Sequence, residues 1–222
     1  MISGLRKMSL IDYPGKVAFV IFLGGCNFNC PFCHNKSIVK KQSEEYDENI
    51  VLEMLEARKK LISGVVISGG EPTIYGERLI SLIKKVKDLG YFVKLDTNGS
   101  NPQLIKKILE SNLVDYIAMD IKNTFKKYQT TVKTKVDTKK ISESIKLIEE
   151  SNVDYEFRTT IYKEGHNEED IKEILSYLKD PSKLILQSYR YSEEQIEDIH
   201  YTPYSDQELR ELEELLKVKT RG

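Results

Sequence analysis

The sequence predicts an α/β fold with one mostly parallel, six-stranded sheet in a single domain over residues 1–222. Short apolar runs rich in β-branched and aromatic residues alternate with longer amphipathic segments, which is the pattern of βα units. The length lies within the range of single α/β domains, and no repeat or Gly/Ser-rich linker divides the chain. Right-handed βα connections of this length build either an open doubly wound sheet or a curved partial barrel, with functional groups at the carboxyl ends of the strands.

The individual elements follow from the periodicity of the apolar residues. Strand candidates lie at residues 17–23, 65–68, 92–96, 116–121, 155–161 and 184–187. Helical patterns cover residues 49–61, 78–89, 102–110, 139–150 and 168–178. Gly64 and Gly90 follow two of these helices, where a left-handed C-terminal cap is usual. A last helix at about 206–217 opens with Ser205 and Glu208, which match a capping box, and we expect it to pack outside the sheet.

Composition and charge exclude several classes of protein. With 34 basic and 35 acidic residues the net charge is −1, so no overall field favours nucleic acid or anionic lipid. No stretch approaches the roughly 20 apolar residues of a membrane span. The N-terminus lacks the apolar core and cleavage site of a secretory signal, which predicts a cytoplasmic protein without a nucleic-acid or membrane partner. The lysine-dense stretch 122–140 is interleaved with Thr and Asp and is interpreted as a solvated face or a mobile loop, not as a phosphate-binding patch.

All three cysteines fall in one predicted loop, residues 24–35, after the first strand. Cys26, Cys30 and Cys33 have the spacing C-x₃-C-x₂-C, which can aim three thiolates at one point. Fully protein-ligated iron–sulfur clusters and structural zinc sites have four protein ligands. With three cysteines, a cluster here would keep one iron without a protein ligand. The alternative is a structural zinc with His34 as fourth ligand. It is disfavoured because adjacent residues such as Cys33 and His34 reach one tetrahedral ion with difficulty.

This cysteine spacing, with the aromatic Phe32 before Cys33, resembles the signature of radical S-adenosylmethionine enzymes. The resemblance implies one 4Fe–4S cluster on Cys26, Cys30 and Cys33, with Phe32 and His34 beside the cofactor. In this family the open iron chelates the amino and carboxylate groups of S-adenosylmethionine. The reduced cluster passes one electron to the sulfonium, which yields methionine and a 5′-deoxyadenosyl radical. The protein then supplies binding and orientation but no catalytic acid or base.

The second predicted strand ends in the sequence GGEP, in which two glycines allow a ligand to approach the backbone. Considered alone, this is a tight turn before a helix. In the family it matches the place that binds the amino group of methionine, which implies cofactor-binding roles for Gly69, Gly70 and Glu71. The resemblance also favours the partial barrel of the radical SAM type over the doubly wound sheet.

The third and fourth strands end in DTNG and MDIK, which resemble the corresponding stretches of glycyl-radical-enzyme activases. The resemblance places Asp120 and Lys122 at the ribose and the methionine carboxylate. It also assigns Asp96 and Thr97 to the cofactor site. As an alternative, these two residues would coordinate a monovalent cation. A capping role for either residue at the helix near 102–110 is the simpler alternative.

The fifth and sixth strands add two further candidates to the same pocket. Arg158 interrupts a strand-like run, and a buried arginine needs a carboxylate partner. The alternatives are an ion pair with Glu156 or Asp120 and cofactor binding. Gln187 ends the sixth strand and is expected to line the pocket. His166 has no ligand spacing to the cysteines, so we expect it to have a packing role.

The N-terminal stretch SLIDYPGK, residues 9–16, resembles the opening of anaerobic ribonucleotide reductase activating proteins. In related activases the position of Asp12 lies near the glycine loop of the partner enzyme. The resemblance implies a glycyl radical enzyme as partner, with anaerobic ribonucleoside-triphosphate reductase first, and flavodoxin or ferredoxin as electron donor. Three alternatives stay open: an activase of the pyruvate formate-lyase type, a compact radical enzyme acting on a small molecule, and a non-catalytic zinc module.

Overall fold

A single sheet runs through the molecule in the order of the chain. The computed structural model describes residues 1–221, and its eight strands lie in the sheet in chain order, β1 to β8. The strands are β1 (Ile2–Ser9), β2 (Ala18–Leu23), β3 (Gly64–Gly69), β4 (Phe92–Thr97), β5 (Tyr116–Asp120), β6 (Asp154–Ile161), β7 (Leu184–Ser188) and β8 (Lys219–Arg221). β1 is antiparallel to β2, and every later neighbour is parallel. The predicted α/β class with a mostly parallel sheet is confirmed.

Helices fill the connections between the parallel strands. They are α1 (Lys36–Val39), α2 (Glu48–Glu56), α3 (Glu77–Asp88), α4 (Pro102–Glu110), α5 (Tyr128–Val132), α6 (Thr138–Glu149), α7 (Glu168–Leu175) and α8 (Asp206–Leu216). Two 3₁₀ turns lie at Pro72–Tyr75 and Pro181–Lys183. Within residues 1–221 no helix combines the length and the apolar character that a membrane crossing requires.

The strand count is higher than predicted, because both edge strands escaped the sequence analysis. The six predicted strands form β2 to β7, and β1 and β8 are added at the two edges. In β1 the exposed Arg6 and Lys7 interrupt the apolar pattern. β8 has only three residues, and its position depends on pairing with β7 and on two hydrogen bonds from Thr220 to Glu213, each 2.8 Å. Neither strand therefore shows the apolar periodicity from which a strand is predicted.

Helix ends differ from prediction where side chains or turns compete with the helix. α2 stops at Glu56, not at residue 61, because the chain continues in i to i−3 turns. α7 stops at Leu175 because the Ser176 hydroxyl donates to the Glu173 carbonyl oxygen at 2.6 Å. Gly90 does follow α3 with φ of +83°, whereas Gly64 is the first residue of β3 and caps no helix. The capping box of Ser205 and Glu208 at α8 is confirmed.

The sheet is curved, since residues from six consecutive strands line one cavity of about 470 Å³. A flat sheet would spread six strands over about 24 Å. Phe22 on β2 and Gln187 on β7 nevertheless border the same space, and Arg158 on β6 reaches Asp96 on β4. The apolar core packs between the outer face of the sheet and the helices, with side chains such as Phe157 fully buried. The sheet is therefore an open, partial barrel with a polar interior.

Candidate active site

The cavity inside the curved sheet brings together nearly all the side chains that the sequence singled out. It lies at the carboxyl ends of the parallel strands and is bordered by the loop that follows β2. Its walls include Asp12, Cys26, Cys30, Phe32, Cys33, His34, Gly69, Gly70, Asp96, Thr97, Asp120, Lys122, Arg158 and Gln187. Glu71 is the one predicted site residue that does not border it.

The three cysteines are free and share this cavity. Cys33 N–H donates to the Cys30 carbonyl at 3.1 Å, and Phe28 N–H donates to Cys26 Sγ at 3.3 Å, so local turns hold the loop. Burial raises the pKa of the Cys26 thiol to about 12 and that of Cys30 to about 11. Without iron these thiols are neutral, and a metal must displace their protons to bind.

Backbone hydrogen bonds attach the segment after β7 to the cysteine loop. Ile196 N–H donates to the Cys33 carbonyl and Glu197 N–H donates to the Pro31 carbonyl, each at 3.1 Å. His34 Nε2 lies 2.6 Å from the Arg190 carbonyl oxygen, which can only accept, so Nε2 is the donor. His34 therefore uses this nitrogen to bind the backbone. Within residues 1–221 no three His, Cys, Asp or Glu side chains are grouped as ligands of one metal ion.

The glycine pair after β3 lets two loops meet. Gly69 has φ of +124°, a conformation that side chains rarely allow, and a Cβ there would collide with the Leu23 backbone. A Cβ on Gly70 would collide with the Gly25 carbonyl oxygen next to Cys26. Both positions border the cavity with bare backbone. The turn can thus present peptide groups directly to a ligand that lies against the cysteine loop.

The prediction that the Glu71 side chain belongs to this ligand surface is not supported by its position. The Glu71 carboxylate is fully buried. It accepts hydrogen bonds from Thr73 N–H and Oγ1, from Thr97 Oγ1 and from Asn98 N–H, at 2.5 to 2.9 Å. All these partners belong to the turn after β3 or to the end of β4, so Glu71 joins the two loops from behind the cavity.

A compact ion network occupies the floor of the cavity. Arg158 Nε donates to Asp120 Oδ1 at 2.8 Å, and Lys122 Nζ donates to Asp120 Oδ2 at 2.9 Å. Lys94 Nζ donates to Asp96 Oδ1 at 2.6 Å, while Arg158 Nη1 lies 3.6 Å from Asp96 Oδ2. Burial raises the pKa of Asp120, but Arg158 and Lys122 lower it by more, so the pKa lies well below its usual range. Both aspartates are ionised at neutral pH.

This network answers the question of what Arg158 pairs with. Its bond is to Asp120, and Glu156 Oε1 lies farther away at 3.9 Å. Glu156 instead forms a salt bridge with Arg221, whose Nη2 lies 3.2 Å from Glu156 Oε2. Each oxygen of Asp96 and Asp120 faces a cationic side chain, so neither carboxylate is free to be the main ligand of an added monovalent cation.

A second cavity of about 420 Å³ opens beside the first, toward the edge between the N-terminal loop and β7 and β8. Asp12, Arg158 and Gln187 border both cavities. Asp12 Oδ2 accepts from Arg6 Nη1 at 2.9 Å, and Ile11 beside it is 81% exposed. The exposed N-terminal loop and the interior of the barrel are therefore continuous at Asp12.

Four polar residues that the sequence analysis missed also border the main cavity: Asn35, Ser68, Asn98 and Thr160. Asn35 Nδ2 donates to the Gly69 carbonyl at 3.2 Å, which ties the cysteine loop to the glycine turn. Ser68 directly precedes Gly69, and Thr160 lies two residues after Arg158 on β6. Side chains of a strand alternate between its two faces, which places Ser68 and Thr160 on the inner face of the sheet. This alternation could have been read from the sequence.

The fold and the cysteine-lined cavity define the class of protein. The sequence profile of the radical SAM superfamily matches residues 20–178, which spans the cysteine loop and the strands β2 to β6. The chain belongs to this superfamily and is an enzyme. Membership implies a 4Fe–4S cluster and S-adenosylmethionine. Three thiols on one cavity wall, facing a glycine turn without side chains, fit that pair of cofactors.

Relatives narrow the class to the glycyl-radical-enzyme activating enzymes. The chain is 35% identical, over 98% of its length and 92% of the relative's, to a Methanocaldococcus jannaschii protein provisionally named a glycyl-radical enzyme activating enzyme. It is 30% identical, over 55% of its length, to the pyruvate formate-lyase-activating enzyme of Clostridium pasteurianum. The match covers 52% of that enzyme, so the chain spans about half of it.

Solved structures agree with the fold at low sequence identity. SuiB of Streptococcus suis bound to its precursor peptide SuiA is similar with a TM-score of 0.69 and 18% identity, over 91% of this chain and 48% of SuiB. The anSMEcpe structure with bound AdoMet has a TM-score of 0.62 and 17% identity, over 88% of this chain and 58% of that one. At such identities the likeness is evidence for the fold alone.

Proposed function

We propose that the protein is an activase that places a radical on one glycine of a partner enzyme, with anaerobic ribonucleoside-triphosphate reductase as the first candidate. The observation that carries the proposal is the near full-length similarity to the Methanocaldococcus jannaschii relative. The cavity that reaches the surface at Asp12 supports it, because a glycine of another protein must enter the barrel. In this proposal the chain acts as one domain, and its single sheet from residue 2 to residue 221 is consistent with that.

The cofactors supply the redox chemistry, and the protein holds them. When bound, cluster and S-adenosylmethionine provide a one-electron cleavage of the carbon–sulfur bond, leaving methionine and a carbon radical that takes hydrogen from a glycine α-carbon. Cys26, Cys30 and Cys33 are the proposed cluster ligands. In this proposal the bare backbone of Gly69 and Gly70 would face the methionine group, and their peptide groups would orient it without a side chain between them.

The charged floor of the cavity orients the rest of the cofactor. Lys122 is held by Asp120 at 2.9 Å, and this carboxylate raises the pKa of Lys122 well above its usual range although burial lowers it. The ammonium is thus permanently charged and suits the methionine carboxylate. Asp120 is fixed from both sides by Arg158 and Lys122, so Arg158 acts by positioning it. The proposal includes no monovalent cation, since cationic side chains already face Asp96.

A second candidate partner is a pyruvate formate-lyase. It is favoured by the similarity to the activating enzyme of Clostridium pasteurianum over about half of each chain. Both candidates present a glycine, so they share the same requirement for an open route to the cavity. Purified candidate enzymes distinguish them, because only the true partner gains a glycyl radical signal in electron paramagnetic resonance.

Asp12→Ala tests the proposed route for the partner. We expect the variant to lose most glycyl radical formation and to keep cleavage of S-adenosylmethionine, because Asp12 lies where the main cavity meets the lateral one and is not a proposed cluster ligand. The paired measurement is 5′-deoxyadenosine release without partner and the glycyl radical signal with partner. Arg6→Gln is the matched control, because it breaks the 2.9 Å ion pair and keeps the Asp12 carboxylate.

Two outcomes would contradict the proposal. Equal loss of both activities in Asp12→Ala would assign the residue to the fold or the cofactor. Turnover of a small molecule by the wild type, without a radical on any glycyl radical enzyme, would favour the small-substrate alternative.

A further inference from the structure

Five exposed lysines lie in the connection between β5 and α6 and in the first turn of α6, and we call this group the basic face: Lys126, Lys133, Lys135, Lys139 and Lys140. No carboxylate within residues 1–221 lies within salt-bridge distance of any of them; the neighbouring Lys127 does pair with Asp170 at 2.6 Å. The sole acidic residue in this stretch, Asp137, caps α6 through the Lys139 N–H. In a chain with a net charge of −1, this is a local excess of positive charge, with five lysines that make no salt bridge in the described chain against the one carboxylate of Asp137.

This connection is attached directly to the cysteine loop. Asn29 N–H, between the first and second cysteine, donates to the Val132 carbonyl at 3.0 Å. The ring of Phe28 meets Tyr128 edge to face, with centroids 6.2 Å apart. The stretch 125–137 carried no recognisable motif in the sequence, yet it packs against the loop that carries the cysteines.

Phe28 links the basic face to the cavity of the cysteines. An outer cavity of about 510 Å³ is lined by Asn27, Phe28, Lys135 and Lys140, among others. Phe28 also borders the inner cavity with the cysteines, and it is the only residue common to both walls within the described chain. Its side chain is 5% exposed. A redox group seated in the outer cavity would therefore lie against a ring that also borders the cysteine site.

We propose that the basic face is the docking surface for the electron donor, a small acidic redox protein of the flavodoxin or ferredoxin class. The proposal rests on the proposed function only for the need to reduce the cluster. Charge complementarity carries the choice of partner: uncompensated lysines attract an acidic surface and speed its encounter. Phe28 borders both the outer cavity and the cysteine cavity, so a donor docked on the basic face would lie close to the cluster that it reduces.

The donor and the glycyl radical enzyme then use different surfaces. Asp12 lies between β1 and β2, whereas the basic face lies on the connection after β5 and the first turn of α6. Among the described residues, none lines both the outer cavity at Lys135 and the lateral cavity at Asp12. An electron can thus enter while the glycine of the partner is in place.

The test compares two charge reversals with the same change in net charge. Lys135→Glu/Lys140→Glu alters the basic face, and Lys60→Glu/Lys84→Glu alters exposed lysines near α2 and on α3 as the matched control. The probe is a purified acidic flavodoxin, and its affinity for the cluster-loaded protein is measured at low and high salt. We expect the first variant to weaken binding by about tenfold or more at low salt, and the control to stay within about twofold.

Activity supplies the second readout. Cleavage of S-adenosylmethionine driven by flavodoxin should fall in Lys135→Glu/Lys140→Glu, while cleavage driven by dithionite should not change. Equal flavodoxin affinity in both variants would overturn the proposal. Unchanged flavodoxin binding with impaired glycyl radical formation under dithionite would assign the face to the glycyl radical enzyme instead. Flavodoxin affinity and flavodoxin-driven cleavage are both measured without a glycyl radical enzyme. A failure of the activase proposal would therefore leave both results unchanged.

Discussion

Glu71 is a polar residue buried behind the cavity, where its two oxygens accept four hydrogen bonds. Burial raises the pKa of Glu71, and the four donors oppose that rise. Through Thr97 and Asn98 the residue joins the end of β4 to the glycine turn after β3. It therefore sets the distance between two walls of the site without touching the space they enclose.

Glu71→Gln is expected to lower the free energy of unfolding by about 2 kcal/mol, because the amide nitrogen turns a donor toward Asn98 N–H. For a chain of this size the melting temperature should fall by roughly 4–8 °C, measured anaerobically by circular dichroism. Glu77→Gln is the control, since Glu77 is exposed and pairs only at the surface with Lys107. Equal melting of Glu71→Gln and the wild type would show that Asn98 can turn away at no cost.

The limit of sequence reasoning is clear at these residues. The cysteines were recognisable from their spacing, and Asp120 and Lys122 from the resemblance of MDIK to activases; the structure places all five on one cavity. For Glu71 the cofactor-binding role implied by the resemblance stays a prediction. Its carboxylate is buried behind the cavity, and motif position does not reveal which way a side chain turns. Its partners Thr97 and Asn98 lie more than 25 residues away in the chain, so only the folded structure brings them together.

His166 connects two elements and was expected only to pack. It lies between β6 and α7, and its Nε2 donates to the Lys122 carbonyl after β5 at 3.1 Å. Its Nδ1 is buried without a hydrogen-bond partner among the described residues. Burial lowers the pKa of His166 to about 4, so the folded protein holds the neutral ring. The residue anchors the backbone that presents Lys122 to the cavity.

Stability should therefore fall on acidification through the window between about 6.5 and 4. There the unfolded chain protonates His166 and the folded chain does not, so the unfolded state binds more protons and is favoured. The expected loss between pH 7 and pH 5 is about 2 kcal/mol, from chemical denaturation at each pH. His166→Gln should remove most of this loss, and His200→Gln should not, because His200 is exposed. The same loss in His166→Gln would assign the pH dependence to another group.

At this scale the sequence predicted the interior of the sheet better than its edges. β2, β3 and β5 are largely apolar, buried runs, and β4, β6 and β7 are rich in β-branched, aromatic or aliphatic residues, so composition identified these six strands. β1 and β8 depend on one neighbour each, and long-range pairing leaves no local pattern. The short helix α5 and the connection around it were likewise invisible, since its burial comes from contact with Phe28.

For the whole molecule, the decisive measurement is metal content. Anaerobic reconstitution should load about four irons per chain, and Cys30→Ala should lose them. His34→Ala should keep the iron, because His34 Nε2 is bound to the Arg190 carbonyl and the cluster needs no fourth protein ligand. Stoichiometric zinc without iron, lost together with His34, would instead support the zinc module.

The strand order has a consequence for how the enzyme is made. Because neighbours in the sheet are neighbours in the chain, each strand can pair with its predecessor as it leaves the ribosome. The cysteine loop is translated early, while the segment that covers it, bonded through Ile196 to Cys33, is translated near the end. Iron delivery during synthesis would meet thiols that are already assembled on the sheet but still uncovered. A ribosome stalled before residue 190 would hold the nascent protein in that state.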